Sequence, residues 1–420
     1  MTNPRDLLPQ WLVNHHVADN PVTIPSHIRL IPWDDGFTPS GCNDRPGKIV
    51  RDFPRDHPKA HVIVDQAVSK CTADQLYASA MEAKVWGVYV SVDDLQLLNS
   101  TSKLVPKILE VQQDEAENLE SYRHVLARRA IQEFLVDNLA GQEVISQNDW
   151  KRTHGVAVWV IASDCDDETE YHLDYAEQVR YETNVIFPPI YGATLHVSPL
   201  HNDTCGEKVK EEQRKTSLLE GGSFYVNVKG MEHYEKYGHK TRKQPTRMTT
   251  DELEKLSAAE PGWERVPYLY RRGIVCDGEL PHFSGRVRTL PTSVSSSEGV
   301  ELPMKRVIVG FNLFPSEIGA CVAKFPEHSS AFNRYVRLSQ AAVKQTKLLS
   351  TASNKGGWTL ASVRANPKQA AFLKLLARKM REKDGQKSET AAQAEMASCM
   401  SESLSCNGEE ELVDAERLQS

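Results

Sequence analysis

The sequence has no Cys-x-x-Cys pair, although it contains eight cysteines. Scattered cysteines of this kind exclude a zinc ribbon and a disulfide framework, and they indicate reduced thiols in a reducing compartment. The cysteines lie at positions 42, 71, 165, 205, 276, 321, 399 and 406.

Long hydrophobic runs are also missing. The stretch from Met1 to Asp6 leads into polar sequence without an apolar core segment, and no later run is long enough to span a bilayer. We therefore expect no secretory signal, no membrane partner and a cytoplasmic or nuclear location. The net charge of −7 argues against nucleic acid as the default partner.

Composition shifts along the chain predict its domain organisation. Prolines crowd the N-terminal segment, and the C-terminal segment is rich in Ser, Glu, Ala and Gln with almost no aromatic residues, so it cannot support a core. A basic helix at 368–383 leaves a nucleic-acid role open, although such a helix is more often a solvated face. The predicted segments are an extended arm at 1–60, a core domain at 61–316 with charged insertions at 202–219 and 232–266, a helical extension at 317–384 and a disordered tail at 385–420.

Short runs rich in β-branched and aromatic residues, separated by turn residues, predict an antiparallel β core. Several short strands without intervening helices suggest an antiparallel barrel or a double-sheet jelly roll. We predict the α+β class, with a double-stranded β-helix (jelly-roll) core and flanking N- and C-terminal helices. A capping box at Thr72–Gln75 predicts the start of one helix, and helical spacing between 105 and 139 predicts one or two more. The predicted strands cover 61–65, 86–92, 155–162, 179–188, 193–197, 221–228, 272–277 and 305–314.

His172 and Asp174 lie two residues apart, between the predicted strands 155–162 and 179–188. On extended backbone, side chains at this spacing point the same way, so the imidazole and the carboxylate can reach one cation. Two histidines and one carboxylate on one face of the metal form the site of non-haem iron(II) oxygenases. The pair therefore predicts half of an iron site.

The His-x-Asp spacing alone does not identify the metal ligands in this chain. His201-Asn-Asp203 repeats it, and His233-Tyr-Glu235 is a similar pair. Both lie in charged stretches where we expect no rigid element to hold ligands in place.

The second histidine ligand should come from a later strand that folds back across the barrel. His282 lies between two β runs and is flanked by apolar residues, which makes it the preferred candidate. His196, on the predicted strand 193–197, is the main rival, with an ordinary interior role as its other interpretation.

The order of these features resembles the iron(II)- and 2-oxoglutarate-dependent dioxygenases, closest in layout to the prolyl-hydroxylase-like branch. After the His172-x-Asp174 pair, a Gly221-Gly222 turn leads into Phe224, and a distal His282 precedes a strand that opens with Arg306. The resemblance covers about residues 61–315.

The resemblance implies that His172, Asp174 and His282 bind Fe(II), and that Arg306 binds the far carboxylate of 2-oxoglutarate through its planar guanidinium. In many relatives this arginine follows the distal histidine closely, whereas here Leu290–Pro303 intervenes, so Arg288 is the fallback. No catalytic residue is assigned beyond the metal ligands.

The activity implied is hydroxylation of a C–H bond of a protein side chain or a small molecule, with O2 consumed and succinate and CO2 released. Two alternatives stay open. The chain could be a β-barrel binding or scaffold protein with a degenerate metal site, or a cupin-like metal enzyme that does not use 2-oxoglutarate.

Overall fold

The computed structural model describes residues 4–14, 24–26, 28–33, 47–51, 61–95, 116–138, 143–165, 167, 169–200, 219–238, 248–294, 301–334 and 337. The chain divides into two compact units, Leu8–Val343 and a second unit that comprises Met1–Leu7 and Lys344–Ser420. Of the second unit, the described part is a 3-10 turn at Pro4–Leu7.

All other described elements belong to the first unit. Its helices are α1 Gln10–Asn14, α2 Lys70–Glu82, α3 Ala116–Ile131, α4 Gln147–Arg152, α5 Glu177–Thr183, α6 Met231–Tyr237, α7 Thr250–Ala259 and α8 Ser316–Lys324. Its strands are β1 Arg29–Trp33, β2 Gly47–Arg51, β3 His61–Val64, β4 Val85–Ser91, β5 Thr153–Ser163, β6 Val185–Ile186, β7 Tyr191–His196, β8 Glu220–Gly221, β9 Phe224–Asn227, β10 Trp263–Val266, β11 Gly273–Asp277, β12 His282–Ser284, β13 Val287–Thr289, β14 Thr292–Val294, β15 Glu301–Pro303 and β16 Arg306–Pro315.

The centre of this unit is a six-stranded sheet with the order β3-β11-β7-β16-β5-β4, in which every neighbouring pair is antiparallel. Successive side chains of a strand point to opposite faces. One face is apolar and packs on α2, α3 and the π-helical turn Gln132–Val136 that continues α3. The core on this face includes Val158, Leu195, Val309, Leu126 and Phe134.

The opposite face of the large sheet faces several smaller sheets. A three-stranded antiparallel sheet has the order β10-β9-β12, and β8 pairs with β13. A further sheet, β1-β2-β6, contains the parallel pair β2 and β6. The described fold is therefore a mixture of helices and mainly antiparallel sheets.

Two sequence predictions about local structure are wrong. Residues 179–188 do not form one continuous strand: α5 covers Glu177–Thr183 and ends at Asn184 in the left-handed conformation, and only Val185–Ile186 of the predicted range are in a strand. The helix expected to begin at Thr72 begins at Lys70, because Ser69 is the N-cap and its side chain accepts from the Thr72 amide.

The segments that were expected to lack regular structure contain some. Within the predicted arm, β1 pairs with β2, and Pro32 is tolerated because β1 lies at the edge of its sheet. The predicted insertion 232–266 contains most of α6, all of α7 and β10.

Several predicted segments lie outside the described residues. These are the stretch 202–218, the basic helix 368–383 and the tail 385–420. Among the helices that the structure describes, none combines the length and the apolar character needed to cross a membrane.

Candidate metal centre

The backbone brings His172 and His282 side by side. The two residues form an antiparallel bridge, in which the His172 amide donates to the His282 carbonyl at 3.1 Å and the His282 amide donates back at 2.9 Å. Their ring centroids lie 4.6 Å apart. Two histidines 110 positions apart in sequence are thus held as neighbours by paired backbone, which is more rigid than a loop contact.

Asp174 completes a cluster with these histidines. One donor atom from each of the three residues lies within 4.8 Å of the other two. Asp174 Oδ1 is 3.5 Å from His172 Nε2, and Asp174 Oδ2 is 3.7 Å from His282 Nε2. In the described part of the chain this is the cluster of His, Cys, Asp and Glu side chains whose spacing could hold a metal ion.

Hydrogen bonds fix the tautomer of both imidazoles. His172 Nδ1 lies 2.8 Å from the Glu170 carbonyl oxygen, and His282 Nδ1 lies 3.0 Å from the Leu280 carbonyl oxygen. A carbonyl oxygen only accepts, so each Nδ1 carries a proton, and Nε2 is the nitrogen of each ring that is left to bind a metal. Backbone carbonyls that orient a histidine in this way are typical partners of metal-binding imidazoles.

The charges also suit a divalent cation. Burial alone would raise the pKa of Asp174, but His282, His172 and Asn312 outweigh it, so the pKa lies below its usual range and the carboxylate is ionised. Burial lowers the pKa of His282 despite the nearby carboxylate, so this imidazole is neutral. One anionic oxygen ligand and two imidazole nitrogen ligands match the donor set of an iron(II) site.

Arg306 is a buried guanidinium that forms no ion pair with the residues that the structure describes. It is 1% exposed, and its Nη1 donates to the Gly285 carbonyl at 3.0 Å while Nη2 lies 3.4 Å from Ser163 Oγ. Its Nε has no hydrogen-bond partner. Burial lowers the pKa of Arg306, and the Tyr268 hydroxyl and the Asp167 carboxylate oppose this shift. A buried, unpaired cation is costly unless an anion binds to it.

The cluster and Arg306 line the same cavity, whose volume is about 410 Å³. The six-stranded sheet (the large sheet) and the three-stranded sheet β10-β9-β12 (the small sheet) each contribute residues to the cavity wall, so the cavity lies between these two sheets. Lining residues from the large sheet include Trp159, Ile161, Ser163, Thr194, Arg306 and Ile308, and those from the small sheet are Phe224, His282 and Ser284.

Glycines allow the close packing of this wall. A Cβ at Gly310 would lie 2.0 Å from the Trp159 indole, so this indole lies directly over β16. Gly222 has a φ of +67°, and a Cβ there would lie 3.3 Å from Arg306 Cδ. A side chain at Gly222 would strain the backbone and crowd the arginine stem.

The other residues considered from the sequence lie elsewhere. Arg288 is exposed and donates to Glu254 at 2.8 Å. His196 is buried, stacks on Tyr268 with ring centroids 4.2 Å apart, and accepts a hydrogen bond from the Leu269 amide. His201 and Asp203 lie outside the described residues.

His233 corrects the expectation that no rigid element surrounds it. It lies on α6, is 4% exposed, and its Nδ1 is 2.8 Å from the Tyr171 hydroxyl. The contact supports the strand segment that carries His172, so His233 has a packing role next to the metal cluster.

The aromatic residues near the pair divide between the core and the cavity. Tyr171, Phe187 and Tyr191 are at most 2% exposed, and Tyr191 donates to Asp149 on the helix side of the large sheet. Tyr175 lines the cavity. The side chain of Tyr181 lies outside the described residues.

Asn312 is a site residue that the sequence interpretation missed. With its amide nitrogen turned toward both acceptors, it donates to Asp174 Oδ2 at 3.0 Å and to the Phe311 carbonyl at 3.1 Å. The available signal was its even spacing from Arg306 on an otherwise apolar strand, which places both residues on one face of the sheet.

The chain matches no family model and no curated protein. Among solved structures, it is similar to a prolyl-4-hydroxylase from Pseudomonas putida, at 10% identity over 61% of this chain and 94% of the other, with a TM-score of 0.27. HygX from Streptomyces hygroscopicus, solved with iron bound, is 10% identical over 61% of this chain and 83% of its own, with a TM-score of 0.28. A prolyl 4-hydroxylase from Phytophthora capsici is 10% identical over 73% of this chain and 90% of its own, with a TM-score of 0.20. Likenesses at this level carry no argument about the site, which rests on its own geometry.

Proposed function

We propose that the chain is an iron(II)- and 2-oxoglutarate-dependent dioxygenase of the prolyl-hydroxylase-like branch, which hydroxylates a C–H bond of a protein side chain or a small molecule. The observation that carries the proposal is the buried Arg306 guanidinium, which forms no ion pair with the described residues and lines the same cavity as His172, Asp174 and His282. A cation site and an anion site in one cavity fit a ligand that chelates the metal at one end and carries a carboxylate at the other.

The donor set fits iron(II). Two imidazoles that each offer Nε2 and one ionised carboxylate would supply three ligands, which would leave three positions of an octahedral ion for other molecules. His172, Asp174 and His282 would hold the ion. When bound, iron with 2-oxoglutarate and O2 supplies the oxidising power for hydroxylation, with succinate and CO2 as co-products.

Arg306 would bind the far carboxylate of 2-oxoglutarate. Its planar guanidinium can donate two parallel hydrogen bonds to a carboxylate, and in a water-poor cavity such bonds are strong. The partners that Arg306 already has, Gly285 and Ser163, hold it in place and leave Nε unsatisfied. Arg288 is not a good substitute because its side chain is exposed and paired with Glu254.

The rest of the cavity wall would orient the substrate. Trp159, Ile308 and Phe224 supply apolar surface, while Tyr175 and His328 offer polar tips. Since the oxidant is reactive toward many C–H bonds, selectivity would come from the position in which this wall holds the substrate.

The arrangement of sheets supports the jelly-roll architecture that we propose for the core. The six-stranded antiparallel sheet and the sheet β10-β9-β12 line opposite sides of one cavity. Double-sheet antiparallel folds enclose their ligand sites in this way.

The test is anaerobic addition of iron(II) and then 2-oxoglutarate to the purified protein. Chelation of iron by the 2-keto acid is expected to produce a visible charge-transfer band, and succinate without the keto group is expected to produce none. Iron binding without a band would contradict the use of 2-oxoglutarate and would favour a metal enzyme of another kind. No iron binding would favour a binding or scaffold role.

A further inference from the structure

Asn312 is a buried polar side chain within an apolar strand. It is 2% exposed and lies on β16, whose ten residues are all buried. Burial of an amide costs free energy unless its hydrogen-bonding groups are satisfied, so a buried asparagine calls for specific partners.

The partners of Asn312 fix the direction of its amide. The two acceptors beside its nitrogen are Asp174 Oδ2 at 3.0 Å and the Phe311 carbonyl at 3.1 Å. The opposite orientation would place the amide oxygen against these two oxygens, which cannot donate. Both N–H groups are therefore engaged, and the side chain is fixed with one of them on Asp174.

Each oxygen of Asp174 faces one imidazole: Oδ1 lies 3.5 Å from His172 Nε2, and Oδ2 lies 3.7 Å from His282 Nε2. The Asn312 hydrogen bond to Oδ2 makes the two oxygens inequivalent. Ligating carboxylates are commonly held by such outer hydrogen bonds, which set their orientation and charge distribution.

We propose that Asn312 is a positioning residue of the metal centre, which occupies Asp174 Oδ2 so that the carboxylate binds the metal through Oδ1 alone. The inference rests on the proposed function. A carboxylate that bound through both oxygens would fill a coordination position needed by the co-substrate. Asn312 and Arg306 lie on the same strand. Asn312 would then orient a metal ligand at one end of the 2-oxoglutarate site, and Arg306 would bind the carboxylate at the other end.

The test uses Asn312→Leu, which has a similar shape but no donor, and Asn312→Gln, which keeps the donor on a longer chain. Thr153→Val is the matched control, because it removes a different buried hydrogen bond, from Thr153 Oγ1 to the Asp149 carbonyl, on the neighbouring strand β5. Co(II) binding to each metal-free protein is measured by spectroscopic titration, and a thermal melt checks that each variant folds.

Asn312→Leu is expected to bind Co(II) about 10- to 100-fold more weakly than wild type, as is usual when a partner of a metal ligand is lost. At saturating iron it should also need more 2-oxoglutarate to reach half of the charge-transfer band. Asn312→Gln should bind Co(II) more tightly than Asn312→Leu, and Thr153→Val should match wild type in both measurements. If Asn312→Leu does not fold, Asn312→Ser, whose hydroxyl is too short to reach Asp174, takes its place.

Two failures can be told apart. Wild-type protein that binds no Co(II) would overturn the proposed metal centre itself. Tight Co(II) binding by wild type, together with an unchanged affinity and an unchanged 2-oxoglutarate requirement in the folded Asn312→Leu variant, would overturn the role of Asn312 alone.

Discussion

The two faces of the six-stranded sheet are built from the same strands but have opposite chemistry. Along β16, Val307, Val309 and Phe311 pack into the helix-side core, while Arg306 and Ile308 line the cavity. Neighbouring residues of a strand point to opposite faces, so a core residue and a cavity residue are adjacent in the sequence. The helix-side face is therefore expected to set stability, and the cavity face to set ligand binding.

Charged side chains on the two sides of the sheet also differ. Glu133, in the π-helical turn on the helix side, accepts hydrogen bonds from the Ser69 amide, from Thr72 Oγ1 and from Arg129 Nε at 3.0 Å. Arg306 has no ion pair among the described residues although it is more deeply buried. The fold therefore satisfies the Glu133 carboxylate, whereas it leaves Nε of the Arg306 guanidinium without a hydrogen-bond partner.

The largest expected effect is loss of stability on the helix side. Phe134 is fully buried and meets Phe311 edge-on, with ring centroids 5.7 Å apart. Phe134→Ala should lower the free energy of unfolding by about 3–5 kcal/mol, and Phe134→Leu by less than about 2 kcal/mol because most of the volume is kept. Urea unfolding followed by circular dichroism measures both. If the two faces are independent, Co(II) affinity of the folded variants is unchanged, and a parallel loss of affinity would contradict that separation.

The next largest effect is expected at Asp174. Asp174→Ala removes the anionic ligand, so Co(II) affinity should fall by more than the roughly 10- to 100-fold that is typical of losing an outer partner. Asp167→Ala is the control, because Asp167 also lines the cavity but pairs with Lys84 at 3.1 Å. Calorimetric titration of the metal-free proteins distinguishes them, and equal affinities in both variants would remove Asp174 from the site.

The face that carries the candidate metal centre could be predicted from sequence to the extent that it depends on local spacing. His172 and Asp174 have the same-face spacing, His282 lies between β runs, and Arg306 begins a long apolar strand. Their convergence could not be derived from spacing, because it depends on the bridge that joins His172 to His282 across the chain. The role of Asn312 was likewise hidden, since its contact with Asp174 depends on how the sheet brings the two segments together.

Helices near the site were the least predictable part. Residues 179–188 contain β-branched and aromatic residues typical of strands, yet α5 occupies Glu177–Thr183 and buries Val179 and Arg180. Tertiary packing overrides weak local propensity in so short a helix. For α6 a signal was present, because His233 and Tyr237 are four residues apart on one face while charged residues surround them.

A smaller effect is expected for the anion site. Arg306→Leu should weaken 2-oxoglutarate binding about 10- to 100-fold, since charge-assisted hydrogen bonds contribute about 1.5–3 kcal/mol. Metal affinity should change little. Because the variant replaces a buried, unpaired charge with an apolar side chain, its melting temperature should be equal to or above that of wild type.

Arg288→Leu is the matched control for Arg306→Leu. Arg288 is exposed and pairs with Glu254, so its loss should leave the requirement for 2-oxoglutarate unchanged. Titration of the charge-transfer band with 2-oxoglutarate at saturating iron compares the two variants. A higher 2-oxoglutarate requirement in Arg288→Leu, together with an unchanged requirement in Arg306→Leu, would transfer the role to Arg288.

The smallest effect concerns His196, a polar residue that is buried yet lies outside the cluster. Burial, with the positive charges of Arg306 and Arg272, lowers the pKa of His196 to about 3. Between pH 3 and the unfolded value near 6.5, the unfolded chain binds a proton that the folded chain does not, so stability falls as the pH falls. From pH 7.5 to 5.5 this group should remove about 1.4 kcal/mol from the free energy of unfolding.

His196→Phe keeps a ring against Tyr268 and removes the titrating group. Urea unfolding of wild type and variant at pH 7.5 and 5.5 isolates the effect, because the fixed cost of the substitution cancels within each protein. The pH dependence of His233, whose pKa burial lowers to about 4, is common to both proteins. The variant should lose about 1.4 kcal/mol less than wild type on acidification. Its Co(II) affinity at pH 7.5 should be unchanged, and a large loss would show that His196, in place of His282, binds the metal.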